Sequence, residues 1–339
     1  MIRTYTITAI AMLAACSSSG TTPDAQAPVP SGATVTPDVT PPMLSAAEPT
    51  SDTLTIQTPT GPVEGILVLP GGNEPVPVLL LHVGSGPTMR DGETAAGPDN
   101  YFRQLADSLV KRGVGTLRYD KRGFGASSAS RIPEQDLRFG MLVDDAAEWV
   151  RNLRADSRVG RVLYAGHSEG ALVTALAQHQ EPADAYISIA GAGRRADIVV
   201  REQLARQLPE PMLVQVDSIF AALLRGETVD DTPPMLAALF RPSVQPYLIS
   251  WLPHDPAEIV SRMQVPVLVV QGSADIQVSE ADARLLANSN PRATLALIQG
   301  MNHVLKTPEP GAVNMGYNSP ELAISSELVD VLARFALEK

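Results

Sequence analysis

A run of strand character, GRVLYAG, breaks at Gly166 into HSEG and resumes as the helix-forming ALVTALAQHQ, and no other stretch limits the available folds so strongly. β-branched and apolar residues before the break read as a buried strand, and the Ala- and Leu-rich run after it reads as a helix with an apolar face. Ser168 falls between them with a glycine two residues away on each side. A serine in so sharp a strand-to-helix turn occupies a strained backbone conformation, and a Cβ at Gly166 or Gly170 would crowd the neighbouring strand or helix. The turn pushes Ser168 out to where a substrate can reach it.

A serine hydroxyl is a weak nucleophile at neutral pH, so such an elbow needs a base, and the base needs an orienting carboxylate. The order that goes with this elbow is serine, acid, histidine. Of the histidines at 82, 167, 179, 254 and 303, only His254 and His303 lie far enough beyond Ser168 to belong to later loops. The strand pattern VPVLVVQG, Val265 to Gly272, runs into SADIQV and puts Asp275 at a strand's carboxyl end, where open α/β sheets assemble their sites. His254 precedes Asp275 and drops out. A second strand, ATLALIQG, runs into MNHVLK and delivers His303 to the next such loop.

Acyl chemistry at Ser168 also requires two N–H donors for an oxyanion. Glu169, the residue after the serine, supplies one. The second is expected after VPVLLLH in the turn VGSGP, from Ser85, with Gly84 or Val83 as alternatives. The mixed run RYDKRGFG lacks phosphate-loop spacing and reads as a brace for neighbouring loops. No His or Cys spacing suggests a metal, and no cofactor is expected.

GSGPTMRDG, LRYDKRGFGAS, GHSEGA, QGSADIQV and GMNH, in that order across roughly residues 53 to 339, resemble the α/β-hydrolase superfamily of serine hydrolases, in its bacterial esterase and serine-aminopeptidase-like branch. The resemblance implies a mostly parallel central sheet with helices on both faces and a helical cap insertion. It implies Ser168 as nucleophile, Asp275 and His303 as its partners, Ser85 and Glu169 as oxyanion donors, and cleavage of carboxylic esters. An aminopeptidase or amidase is the alternative activity; it would need a cap carboxylate for the substrate amine, with Glu202, Asp217, Asp230 and Asp231 as candidates. A surface-anchored binding protein on a hydrolase fold is the non-enzymatic alternative.

The pattern of strands and helices agrees. A hairpin opens the body, strands follow at 78–82, 114–119, 161–165, 185–189, 265–271 and 293–298, and helices lie between them, the last at 319–337. The cap is expected at about 193–262, where Phe220, Phe240, Tyr247 and Trp251 stand ready either to line a pocket or to pack the cap down.

MIRTYTITAIAMLAACSSSG has a basic start, a short apolar segment and small residues, which fits a secretory signal too short to span a bilayer. With residues 1–16 read as the signal segment, Leu13-Ala14-Ala15-Cys16 resembles the lipobox of bacterial lipoproteins, implying lipidation of Cys16 as the mature first residue and attachment in the bacterial cell envelope, at the outer membrane or its periplasmic face. Cys16 is the only cysteine, so no disulfide forms within the chain. Residues 17–51, rich in Pro, Ser and Thr, read as a tether, leaving 52–339 as the folded domain. With 37 acidic and 26 basic residues the net charge is −11, which disfavours nucleic acid or an anionic lipid surface as partner. A small-molecule substrate remains.

Overall fold

The computed structural model describes residues 48–94, 97, 99–309, 317 and 319–338. The expected signal segment, Cys16 and all but the last residues of the tether lie outside them. Eight strands form one sheet in the order β1-β2-β4-β3-β5-β6-β7-β8. They are β1 Thr50–Thr58, β2 Gly61–Leu69, β3 Val76–His82, β4 Gly115–Tyr119, β5 Val159–His167, β6 Ala185–Ile189, β7 Val267–Gly272 and β8 Ala293–Ile298. β1 and β2 make an antiparallel hairpin, β2 runs antiparallel to β4, and every later neighbour is parallel. Pairing of Thr50 with Leu69 and Ser51 with Val68 starts the domain two residues before the expected boundary at 52.

Parallel strands covered on both faces must be apolar on both. β4, β6 and β7 are buried along their whole length. Because side chains alternate across a strand, Leu79, Leu81, Leu163, Ala165, Ile187, Ile189, Leu268 and Val270 all face one side. There they meet α1 (Tyr101–Val110) through Phe102, Leu105 and Leu109, and the C-terminal α10 (Ser326–Leu337) through Leu328 and Leu332. Val78, Leu80, Val162, Tyr164, Tyr186, Val267 and Val269 face the other side, against α2 (Phe139–Arg154), α3 (Glu169–Gln180) and α9 (Glu280–Ser289).

Between β6 and β7 the chain forms α4 (Ala196–Ala205), α5 (Glu210–Leu224), α6 (Ala237–Phe240), α7 (Gln245–Trp251) and α8 (Pro256–Ser261). Their apolar faces join the second cluster through Leu213, Val216, Phe220, Phe240 and Trp251. Phe139 at the start of α2 stacks on Trp251, ring centroids 5.9 Å apart and planes 11° from parallel, which seats this cap on the body. The aromatic residues divide their work: Phe220 and Phe240 pack edge to face at 5.0 Å, whereas Tyr247 and Trp251 also line cavities.

The last helix starts at Ser326, later than the expected 319. The preceding residues are held extended: Lys306 bridges Ile324, and Ser325 N–H donates to Leu305 O at 2.7 Å. Ser325 then caps α10 by accepting from Leu328 N–H. No helix among the described residues is long and apolar enough to cross a membrane.

Candidate active site

Chain order reverses around β3: β4 lies on one side of it and β5 on the other, so the loops after β3 and β5 open beside each other at a topological switch point. Ser168 sits between the end of β5 and the start of α3 with φ 56° and ψ −122°, a region that costs a non-glycine residue conformational energy. The turn is held by Ser168 N–H donating to Ile189 O at 3.0 Å and Ala171 N–H donating to Ser168 O at 3.0 Å. Both flanking glycines are sterically required. A Cβ on Gly166 would stand 2.1 Å from Gly170 O, and one on Gly170 would stand 2.5 Å from His82 O and Val83 O.

The structure brings Asp275 and His303 together: His303 Nδ1 donates to Asp275 Oδ2 at 2.7 Å, with the carboxylate side chain fully buried and the imidazole 6 % exposed. Asp275 Oδ1 accepts Gln277 N–H at 2.7 Å and Val278 N–H at 3.0 Å, and Gln271 Nε2 donates to Oδ2 at 3.0 Å. Burial pushes the Asp275 carboxyl up, but His303 and these donors outweigh it and hold it below the usual carboxylate range. With Nδ1–H committed to Asp275, His303 presents Nε2 as an acceptor. The ring also packs on His167, centroids 4.7 Å apart, and His167 Nε2 donates to His303 O at 2.8 Å. The residue beside Ser168 in the chain thus anchors the His303 loop. Ser168 Oγ makes no hydrogen bond among the described residues, so the contact observed is between Asp275 and His303, with Ser168 next to their support. His254 lies elsewhere, its ring 5.8 Å from Phe139.

The two residues expected to donate to an oxyanion line one cavity. Ser85, Ser168 and Glu169 line a cavity of about 580 Å³ with Arg194, Gln203 and Trp251. Glu169 N–H is at the first position of α3, where a helix offers no acceptor, and Ser85 N–H has no acceptor among the described residues. Lys121 decides where Ser85 points. Its buried ammonium donates to Gly84 O at 2.6 Å and Gly86 O at 2.7 Å. Across a planar trans peptide the N–H points opposite to the C=O. Fixing Gly84 O therefore aims Ser85 N–H away from Lys121. Burial lowers the Lys121 ammonium to about 8, with Glu169 opposing that shift.

The bracing expected of RYDKRGFG extends beyond this lysine. Asp120 accepts Arg90 N–H at 2.8 Å and Ala126 N–H at 2.9 Å, and Arg122 grips Asp145 with two bonds of 2.5 and 2.9 Å.

A second cavity adjoins the same turn at Gly86 and is lined by Lys121, Arg122, Glu134, Glu169, Tyr247 and a set of apolar residues that includes Phe124. Tyr247 OH donates to Glu169 Oε1 at 2.8 Å. The carboxylates expected to hold a substrate amine line neither cavity. Glu202 pairs with Arg194 and Asp217 with Arg201 on exposed helix faces, and Asp230 and Asp231 are exposed. The buried carboxylate at the cavities is Glu169. Sequence reasoning gave that residue only a backbone role, read Lys121 only as part of a loop brace, and left Tyr247 open between lining a pocket and packing the cap. No group of three or more His, Cys, Asp or Glu among the described residues is arranged to hold a metal.

An eight-stranded, mostly parallel sheet wrapped by helices, with a strained serine elbow between β5 and α3, is the α/β-hydrolase fold. A family model described as serine aminopeptidase, S33, matches residues 99–236. The chain is 26% identical over 289 residues to Esterase EstD of Thermotoga maritima, a match spanning 81% of this chain and 65% of that protein, slightly under two thirds of its length. It is 24% identical over 226 residues to the monoglyceride lipase of Rattus norvegicus, covering 63% of this chain and 74% of the lipase. Among solved structures, Est1E from Butyrivibrio proteoclasticus, determined with ferulic acid bound, superposes with a TM-score of 0.58 at 17% identity, over 84% of this chain and all of that one.

Proposed function

We propose that this chain hydrolyses carboxylic esters by acyl transfer through Ser168. The observation that carries the reading is the buried Asp275–His303 hydrogen bond, in loops braced against an elbow that leaves Ser168 Oγ free. The names of the relatives, an esterase and a monoglyceride lipase, support an ester as substrate. Ser168 Oγ attacks the carbonyl carbon and its proton passes to His303 Nε2, while Asp275 stabilises the imidazolium. Ser85 and Glu169 N–H groups receive the oxyanion. Collapse breaks the bond to the alcohol, which leaves with the proton from His303. Water then repeats the sequence on the acyl-enzyme and releases the acid.

The description of the matching family model as serine aminopeptidase favours the amine-directed alternative; against it, the four cap carboxylates named for it are exposed or paired with arginines, and a substrate ammonium at Glu169 would meet Lys121. Membrane attachment through lipid on Cys16 is part of the proposal for the whole chain, and Cys16→Ser is its test by fractionation.

The experiment for the activity is turnover of p-nitrophenyl esters of graded acyl length beside aminoacyl-p-nitroanilides. Ester turnover is expected, and Ser168→Ala is expected to lower kcat by about 10⁴-fold or more with little change in thermal stability. Retained turnover in that variant, or preferential cleavage of the anilides, would sink the reading.

A further inference from the structure

The two cavities meet at Glu169 and at the Ser85–Gly86 turn. An ester whose carbonyl sits over Ser168 therefore has one cavity available to each of its halves. The cavity next to Phe124 is mostly apolar, and two of its four charged residues are matched outside it, Arg122 by Asp145 and Glu134 by Arg241; the other two, Lys121 and Glu169, do not neutralise each other by contact. Lys121 and Glu169 are 3 % and 8 % exposed and each feels the other's charge, but they form no ion pair among the described residues. Lys121 uses two of its three N–H donors on Gly84 O and Gly86 O. Glu169 Oε1 is taken by Tyr247, and Oε2 has no partner among the described residues.

One free donor and one free acceptor, on groups whose charge burial opposes, thus face a space walled by Leu137, Leu142, Leu239 and Leu248. A hydroxyl is the smallest neutral substituent that satisfies both through one atom, its oxygen accepting from Lys121 and its hydrogen donated to Glu169. An ether oxygen satisfies only Lys121. A methyl or ring C–H satisfies neither and leaves both charges unpaired in the cavity. An ammonium is repelled by Lys121, and a carboxylate by Glu169.

We propose, building on the acyl-transfer reading, that the esters this site takes carry a hydroxyl on the half that enters the Phe124 cavity, seated between Lys121 Nζ and the Glu169 carboxylate. Glu169 then sets specificity through its side chain, apart from its backbone N–H.

The test compares kcat/KM for two series of aromatic esters, one with the ring on the acyl half and one with it on the alcohol half. In each series a single ring position carries hydroxyl, methoxy or hydrogen. In one series the hydroxyl compound is expected to exceed both analogues by about tenfold or more. Glu169→Gln is expected to shrink that preference to about threefold or less, because an amide N–H offers a donor where the hydroxyl needs an acceptor. Tyr247→Phe keeps the ring and frees Glu169 to swing onto Lys121; the same loss is expected, so the idea stays testable if the glutamine variant fails to fold. Equal rates for all three substituents in both series would overturn the proposal, as would a hydroxyl preference that survives both substitutions. Calorimetric binding of the corresponding acids and alcohols to Ser168→Ala protein separates this from the hydrolytic reading. Tighter binding of the hydroxylated ligands there supports the hydroxyl site even if no ester is turned over, and no discrimination there counts against it.

Discussion

The loops at the carboxyl edge of the sheet and the cap that covers them are held by different forces. In the loops, polar groups are buried and matched: Asp275 with His303, Lys121 with two carbonyls, Arg122 with Asp145, and Lys306 with Asp99 at 2.7 Å. Over the cap helices, ion pairs such as Arg201–Asp217 and Arg225–Glu227 are exposed to water, and apolar contacts hold the helices down. A buried pair that loses one partner strands a charge, whereas an exposed pair loses almost nothing. The loops therefore hold their polar side chains in set orientations, and the cap shapes the space around them at little electrostatic cost.

The largest effect expected from attacking the loops is on rate. Asp275→Asn removes the acceptor that holds His303 in its working tautomer and should lower kcat by about 10⁴-fold with KM little changed. Steady-state kinetics checks this, and a loss below about tenfold would detach Asp275 from the proposed chemistry. Next is stability. Lys306→Met leaves Asp99 buried and uncompensated, and chemical denaturation should show a loss of about 3–5 kcal/mol. A loss under about 1 kcal/mol would erase the contrast with the cap.

Acid should act on the body through His82 and His167, both lowered to about 3 chiefly by burial. Between about pH 6.5 and 3 the unfolded chain binds protons at these rings and the folded chain does not, so stability falls as pH drops through that window. Thermal melts across it should show the decline, and His82→Gln should make it shallower. The smallest effect is expected in the cap, where Arg201→Ala should leave the thermal melt indistinguishable from that of the parent protein and ester turnover intact.

The same contrast explains what was legible in the sequence. Strand runs that end in Asp275 and His303, and the glycines around Ser168, announce themselves locally, because a strand's carboxyl end and a tight turn are properties of a few consecutive residues. The cap could be bounded and its helices recognised, since apolar periodicity is local too. Its role at the site could not. Tyr247 and Glu169 are 78 residues apart, and Lys121 reaches Gly84 across 37. Those contacts exist only after the sheet is assembled. The late start of α10 was hidden for the same reason, since Ser325 and Ile324 are held extended by residues of the His303 loop, not by their neighbours.

Gly166 and Gly170 leave no room for even one added carbon, since each would run into main-chain oxygen that has nowhere to retreat. For protein engineering this splits the chain into two kinds of territory. Random libraries spread over the elbow would return almost only the parental codons, while Leu239, Val244 and Leu248 in the cap, whose side chains line a cavity and make only apolar contacts, admit other apolar side chains of similar volume and are where changes in the shape of that cavity can be sought.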